Sequence, residues 1–388
     1  MDFALSAEQE AIRDAVQKIC ARFPDDYWLN KDKQGGFPED FHRAFAEAGW
    51  LGVCIPQEYG GAGLGVTEAA LLMQTIAESG AGLSGASTLH MNIFGLNPVV
   101  VFGTAEQRQR ALPPLVAGRD KACFAVTEPD VGLDTLKLKT KAVRDGERYV
   151  LSGQKVWIST AQVTNKMLIL ARTTPLENVS RKTDGLTLFY TDLDRRYVEV
   201  REIAKMGRNA VDSNALFIDG LPVPVADRIG EEGRGFEYIL HGMNPERMLI
   251  AAEGIGLGRA ALRKAAAYAK ERIVFDRPIG ETQAIQHPLA ACWMALEAAN
   301  LMAFKAASLY DKGQPCGVEA NSAKYLAGEA CFKACETALL THGGMGYAKE
   351  FHVERYLRES LIVRIAPITP HLILSFIAEK AMGLPKSY

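Results

Sequence analysis

Five short runs, ACFAVTEP (122–129), RYVLSGQKVWIST (148–160), KMLILART (166–173), LTLFYTDL (186–193) and ALFIDGLPVP (215–224), decide how this chain of 388 residues folds. Each is rich in β-branched and aromatic residues, and turn-formers such as Asp145-Gly146 and Asp184-Gly185 separate them. No long helical pattern intervenes. The spacing predicts an antiparallel sheet or barrel from Ala122 to about Arg228 rather than a parallel α/β sheet.

On both sides of this block the pattern is helical. Before it, Ser6 with Gln9 and Thr104 with Gln107 read as capping boxes. The second opens a helix that Pro113-Pro114 should end. IPQEYGGAGLG (55–65) is too rich in glycine for a helix and reads as a loop. After the block, long alanine-rich patterns run over 236–270, 283–310 and 318–341. Helices of this length joined by short loops suggest a bundle, and their surplus apolar face suggests an oligomer. The expected class is α+β, with an N-terminal helical domain (1–121), a middle antiparallel, barrel-like β-domain (122–228) and a C-terminal four-helix bundle (229–388).

Composition narrows the function classes. Apolar residues make up 48% and charged residues 23%, with a formal net charge of −2 and scattered basic residues. Nothing there calls for a nucleic acid or another polyanion. No stretch reaches the roughly 18–20 apolar residues that span a bilayer. The sequence shows no basic leader, which favours the cytoplasm. The seven cysteines form no CxxC pair, so reduced thiols are expected; Cys331 and Cys335, one turn apart, read as packing residues. No metal site is expected.

Six words appear along the chain in a recognisable order: IPQEYGGAGLG (55–65), FGTAEQRQRALPPLVAG (102–118), FAVTEPDVGLD (124–134), LSGQKVWISTA (151–161), YAKERIVFDRPIGETQAIQ (268–286) and HGGMGYAKEFHVERYLRES (342–360). Together they resemble the FAD-dependent acyl-CoA dehydrogenase family over essentially the whole chain. The residues themselves suit such a role. Thr127 offers a hydroxyl at a strand end that Pro129 stops, although a Thr there can also satisfy its own turn. Trp157 and Ser159 are two apart on a strand and share one face, an aromatic wall beside a hydroxyl. A core Trp beside an incidental Ser has the same pattern.

The resemblance implies more. Thr127 would contact the isoalloxazine ring and the Trp157-Ile158-Ser159 stretch would pass it, Ser159 standing where relatives have a Thr that donates to the redox-active nitrogen. Arg272, Phe275 and Gln283 would hold the pyrophosphate and adenine of a neighbouring subunit's FAD, and arginine's fork suits phosphate. Gly343 and Gly344 would let backbone approach the cofactor, or simply cap a helix. Thr369 is a further cofactor position. A homotetramer, an acyl-CoA substrate and an electron-transfer flavoprotein as electron acceptor follow from the same resemblance.

The family pattern breaks at its catalytic carboxylate. Most relatives place the glutamate that removes the substrate's α-proton in a word following an R-D-A segment. The ungapped match here runs from Arg358-Glu359-Ser360 to Ile365-Ala366-Pro367-Ile368-Thr369, and puts Pro367 at the glutamate position. Proline also lacks the backbone N–H that polarises the thioester carbonyl in the family. A subgroup carries its base on the first long bundle helix instead, just before an Arg. Pro245-Glu246-Arg247 stands there, so Glu246 is the candidate base and Arg247 a substrate contact. An E-R pair near a helix start can also be a plain solvated pair. Glu253 lies two turns on and can share the face, but matches no family base position. Asn244, where many relatives have Asp, and Leu133, where they have Ser, are further substrate-side positions.

Other signals carry less. Gly254-x-Gly256-x-Gly258 lies inside a helical pattern with no strand before it, the wrong context for a dinucleotide fingerprint. HGGMG has no G-x-S-x-G partner, and His287 and His342 have no ligand-spaced companions. The leading expectation is oxidation of an acyl-CoA to its 2,3-enoyl form. A flavin oxidase or monooxygenase on the same scaffold, or a subunit that binds without turnover, are the alternatives.

Overall fold

The computed structural model describes residues 4–93 and 95–387. At the N-terminal end the Gln9 amide donates to Ser6 Oγ at 3.2 Å and the Ser6 amide to Gln9 Oε1 at 3.1 Å. That reciprocal cap starts α1 (Ala7–Cys20). There follow α2 (Asp25–Gln34), α3 (Glu39–Glu47), α4 (Val66–Ile76), α5 (Gly82–Ile93), α6 (Asn97–Phe102) and α7 (Ala105–Val116). The glycine-rich segment 55–65 holds one 3-10 turn, Gln57–Tyr59, and otherwise runs as loop. Thr104 and Gln107 cap α7 as expected, but the helix does not stop at Pro113-Pro114. Both prolines fall in its last turn. The carbonyls they deprive of a donor belong to Gln109 and Arg110, which are exposed, so solvent can replace the lost bonds.

The middle of the chain forms β1 (Ala122–Ala125), β2 (Lys141–Asp145), β3 (Arg148–Ser159), β4 (Lys166–Arg172), β5 (Leu186–Asp192), β6 (Val198–Glu202), β7 (Ser213–Pro224) and β8 (Arg228–Ile229). They build one sheet in the order β6-β7-β3-β2-β4-β5-β8, with β1 on β4. The sheet is mainly antiparallel, as expected, with one departure: β1 and β2 both run parallel to β4. The reason is the link from β1 to β2, a long loop rather than a hairpin, which brings the chain back in the same direction. Elsewhere hairpin logic holds, as at Gly146, whose φ of +60° closes β2 on β3.

After the sheet come α8 (Gly235–Glu271), the ribbon β9 (Ile273–Val274) and β10 (Arg277–Pro278), α9 (Gln283–Asp311), α10 (Gly317–His342), α11 (Val353–Ile365) and α12 (Pro370–Lys380). Helices α8 to α11 pack as a bundle. Gly254, Gly256 and Gly258 lie buried along α8 and serve close packing rather than a cofactor. A methyl group on Gly256 would stand 2.3 Å from the Gln74 carbonyl oxygen, so α8 and α4 touch backbone to backbone there.

Cores are shared between the segments. Leu249 and Ala252 of α8 pack with Phe41, Leu72 and Leu89 of the N-terminal helices. Tyr238 and Ile239 pack with Leu112 of α7 and with Leu168, Leu170 and Leu188 of the sheet. Helix α8 is therefore the element on which all three segments meet. No single described helix is long and apolar enough to cross a membrane.

Candidate active site

Glu246 and Glu253 stand seven positions apart, two turns of α8, so their side chains leave the helix on the same side. Both are buried. Between them stands His90 of α5. Its Nδ1 lies 2.5 Å from Glu253 Oε1, and its Nε2 is in hydrogen-bond contact with Glu246 Oε2. Burial acts to strip the proton from the imidazole, but the two carboxylates outweigh it and hold its pKa well above the ordinary histidine value. Glu253 Oε2 is buried with no hydrogen-bond partner among the described residues.

The helix bearing His90 is fixed at its start by α11. Between α4 and α5 the backbone leaves helical geometry at Gly80, with φ +106°. Glu359 of α11 then caps the start of α5, its Oε2 accepting from the Leu83 amide at 2.7 Å and its Oε1 from Ser84 Oγ at 2.6 Å. Arg355 holds Glu359 at 3.2 Å and donates to the Gly80 carbonyl at 2.7 Å. A carboxylate at a helix N-terminus is favourably placed against the helix dipole.

Arg208 joins this cluster to the sheet. It lies between β6 and β7 with φ +57°, and its guanidinium donates to Ser87 Oγ of α5 at 3.1 Å and to Ser159 Oγ of β3 at 3.0 Å. Burial pulls its pKa below the usual guanidinium value, while Glu253, Glu359, Asp212 and Glu246 oppose the fall. One arginine thus ties the end of β3 to the helix of His90, one turn from it.

Around Ser159 the sheet is irregular. The β3–β7 register shifts between Lys155 and Ile158, and Trp157 takes a left-handed φ of +62°. The bulge turns the Trp157 ring outward, leaving it 58% exposed, a posture a core tryptophan does not take. Thr127 lies beside it, its carbonyl accepting from the Val156 amide at 2.9 Å. Ile158 differs from its neighbours. Its side chain is buried in the β-domain core with Ile169 and Leu216, so only its backbone can face a ligand. Leu133, in the loop after β1, is 56% exposed.

The remaining expected positions fall into four places. Asn244 and Arg247 pair on α8 beside Glu246, Arg247 Nη1 donating to Asn244 Oδ1 at 3.1 Å, while Arg247 Nε is buried without a described partner. Arg272, Phe275 and Gln283 lie at and beyond the end of α8, with Phe275 at the tip of the β9–β10 ribbon. Phe275 is 94% exposed and, like Asp276, has positive φ, the geometry of a tight two-residue turn. Gly343 caps α10 at φ +59°, and a Cβ on it or on Gly344 would meet nothing within 4 Å. Pro367 is exposed after α11, and Thr369 caps α12 by accepting from the Leu372 amide at 3.4 Å.

The discounted signals stay out of the site. His342 stacks on Tyr268 at 4.3 Å and contacts the Ala338 carbonyl, His287 is exposed, and Cys331 and Cys335 are buried packing residues. No group of three potential metal ligands occurs among the described residues. His90, Ser87 and Arg208 are the members that sequence reading passed over. His90 stands 156 and 163 residues from its partners, and no local word marks it.

The architecture is a helical segment, a sheet and a helical bundle, with a buried His90–Glu246–Glu253 cluster that Arg208 links through Ser87 and Ser159 to the end of β3. Comparison with known proteins gives the family. The acyl-CoA dehydrogenase N-terminal, middle and C-terminal domain models match residues 6–119, 123–221 and 233–380. Acyl-CoA dehydrogenase FadE12 of Mycobacterium tuberculosis is 34% identical over 397 residues, covering 100% of this chain and 99% of that protein. The caffeyl-CoA reductase-Etf complex subunit CarC of Acetobacterium woodii is 33% identical, covering 86% of this chain and 87% of its own. The structure of butyryl-CoA dehydrogenase from Megasphaera elsdenii superposes with a TM-score of 0.93 at 27% identity, covering 99% of this chain and 100% of that one. The chain belongs to the acyl-CoA dehydrogenase family, flavoprotein oxidoreductases that act on CH–CH groups with FAD. The residues present fit that cofactor: the bulge at Trp157 offers an uncovered aromatic face, and Arg208 occupies a lone pair of Ser159 Oγ, leaving its O–H to donate.

Proposed function

We propose that the protein oxidises an acyl-CoA thioester to its 2,3-enoyl form, with Glu246 as the base that removes the α-proton. The observation that carries this reading is the place of Glu246. It is buried on the helix where all three segments meet, with Oε2 held by His90. Its Oε1 accepts from no described residue and remains to take a proton. FAD, when bound, accepts the hydride from the β-carbon. Thr127, Trp157, the backbone of Ile158 and Ser159 would hold its ring; Asn244, Arg247 and Leu133 would face the substrate. Gly343, Gly344 and Thr369 would border the cofactor's other parts.

Arg272, Phe275 and Gln283 would reach the FAD of a neighbouring subunit in a homotetramer. The almost fully exposed Phe275 supports this, since a phenyl ring at a rigid turn gains most when another chain covers it. An electron-transfer flavoprotein would take the electrons onward, as the naming of the Acetobacterium relative suggests, and the enzyme would work in the cytoplasm. The domain limits would be 1–121, 122–228 and 229–388.

One observation favours a second reading. Pro367 stands at the usual glutamate position without an N–H to polarise a thioester, which suits an oxidase or monooxygenase on the same scaffold. Anaerobic titration of the flavinated protein with a panel of acyl-CoAs decides. Bleaching of the flavin by one chain class supports dehydrogenation. No bleaching by any acyl-CoA, with fast oxygen reaction after chemical reduction, selects the oxidase.

A further inference from the structure

We propose that Glu246, His90 and Glu253 form one proton-accepting unit, in which the proton taken up by Glu246 drives the Nδ1 proton of His90 onto Glu253. The inference rests on Glu246 being the base. Its ground is the geometry: a single imidazole spans two buried carboxylates, with Nε2 on Glu246 and Nδ1 2.5 Å from Glu253. A neutral imidazole carries one N–H and cannot donate to both. The side chains of His90, Glu246 and Glu253 are 10%, 11% and 1% exposed, so solvent is not positioned to exchange protons with Glu253. A purely structural triad is expected to have its oxygens satisfied. Here Glu253 Oε2 is buried and without a hydrogen-bond partner among the described residues, which suits a carboxylate that becomes an acid during the cycle.

The step balances. Before reaction the three groups share two protons, both on His90, and carry a net charge of −1. The α-C–H bond breaks, its electron pair stays on the substrate, and its proton goes to Glu246 Oε1. Glu246 is then neutral, and His90 has lost one of the two anions that hold its second proton. The Nδ1–H bond breaks and that proton passes to Glu253 Oε1. Three neutral groups with three protons remain, and Nε2–H still donates to Glu246. The neighbouring charges have partners of their own. Arg208 holds Ser87 and Ser159, Glu359 caps α5 and pairs with Arg355, and Asp212 accepts from Asn214. His90 and Glu253 act through Glu246, as positioning residues rather than as groups that touch the substrate.

The test is anaerobic stopped-flow reduction of the holoenzyme, in H2O and D2O, with protiated and α-deuterated acyl-CoA. A relay moves an exchangeable proton together with the α-proton. Wild type should therefore show a solvent isotope effect of about twofold beside the substrate effect. Glu253→Gln still accepts from Nδ1 but takes no proton, so reduction should slow about ten- to a hundredfold. It should keep the substrate effect and lose the solvent effect. His90→Gln, whose amide N–H can donate to one carboxylate without transferring a proton, should do the same and serves if Glu253→Gln does not fold. A wild type with no solvent effect, or variants that retain it unchanged, overturns the relay. Wild-type reduction by Glu246→Gln would instead remove the base assignment beneath it, a failure visible in a different variant.

Discussion

Arg208→Gln removes a cation that ties the end of β3 to the helix of His90. The guanidinium makes two charge-assisted hydrogen bonds, at 3.1 Å to Ser87 and 3.0 Å to Ser159, and faces the carboxylates of Glu246 and Glu253. Glutamine carries no charge and is too short to reach both hydroxyls. Removing one partner from a buried charge cluster costs about 3–5 kcal/mol. Arg208→Lys keeps the charge but places a point donor where a fork is needed, so about half that loss is expected. The assay is urea unfolding of the flavinated protein at pH 7, read as a shift in midpoint at unchanged slope. The visible flavin spectrum is read alongside, because Ser159 loses the donor that orients its hydroxyl. If Arg208→Gln unfolds within about 0.5 kcal/mol of wild type, the scale of a neutral surface change, and keeps the wild-type flavin spectrum, the linking role of Arg208 is wrong.

Three further outcomes follow from local geometry. Burial, helped by the charge of Lys121, lowers the His42 pKa to about 4, so unfolding lets this residue gain a proton between about pH 6.5 and pH 4. Its stabilising contribution is complete above pH 6.5 and is lost at about 1.4 kcal/mol per pH unit as pH falls towards 4; His42→Gln should flatten that part of the urea stability profile. Gly256→Ala forces a methyl within 2.3 Å of the Gln74 carbonyl oxygen, a backbone atom that cannot step aside, and should cost about 1–3 kcal/mol on the same assay. Phe275→Ala should weaken the tetramer and release FAD on dilution, whereas a fully flavinated monomer in sedimentation would contradict the proposed reach into a neighbouring subunit.

Much of the fold was legible because its signals are local. The reciprocal Ser6–Gln9 and Thr104–Gln107 pairs and the three long bundle helices lie in words a few residues long or in sustained periodicity. What failed also failed for local reasons. Pro113-Pro114 reads as a stop, yet an exposed last turn tolerates prolines. Strand direction depends on where the β1–β2 loop returns, and no residue within β1 or β2 records that. At the candidate site, Glu246 was singled out by the family resemblance at Pro245-Glu246-Arg247, and Trp157 and Ser159 by theirs on the strand. The bulge that exposes Trp157 was not readable, nor was the fact that Ile158 points into the core. His90 and Arg208 were invisible for a deeper reason: a lone histidine within LSGASTLHMN and a lone arginine before Asn209 gain meaning only when helices and sheet close around them.

In the proposed reaction Glu246 takes the substrate's α-proton. That step is tested most directly by mixing anaerobic flavinated Glu246→Gln with the acyl-CoA that reduces the wild type fastest, and following flavin absorbance in stopped flow. The amide keeps nearly the same shape, so FAD and acyl-CoA should still bind while reduction falls at least about a hundredfold. Reduction at the wild-type rate would contradict it.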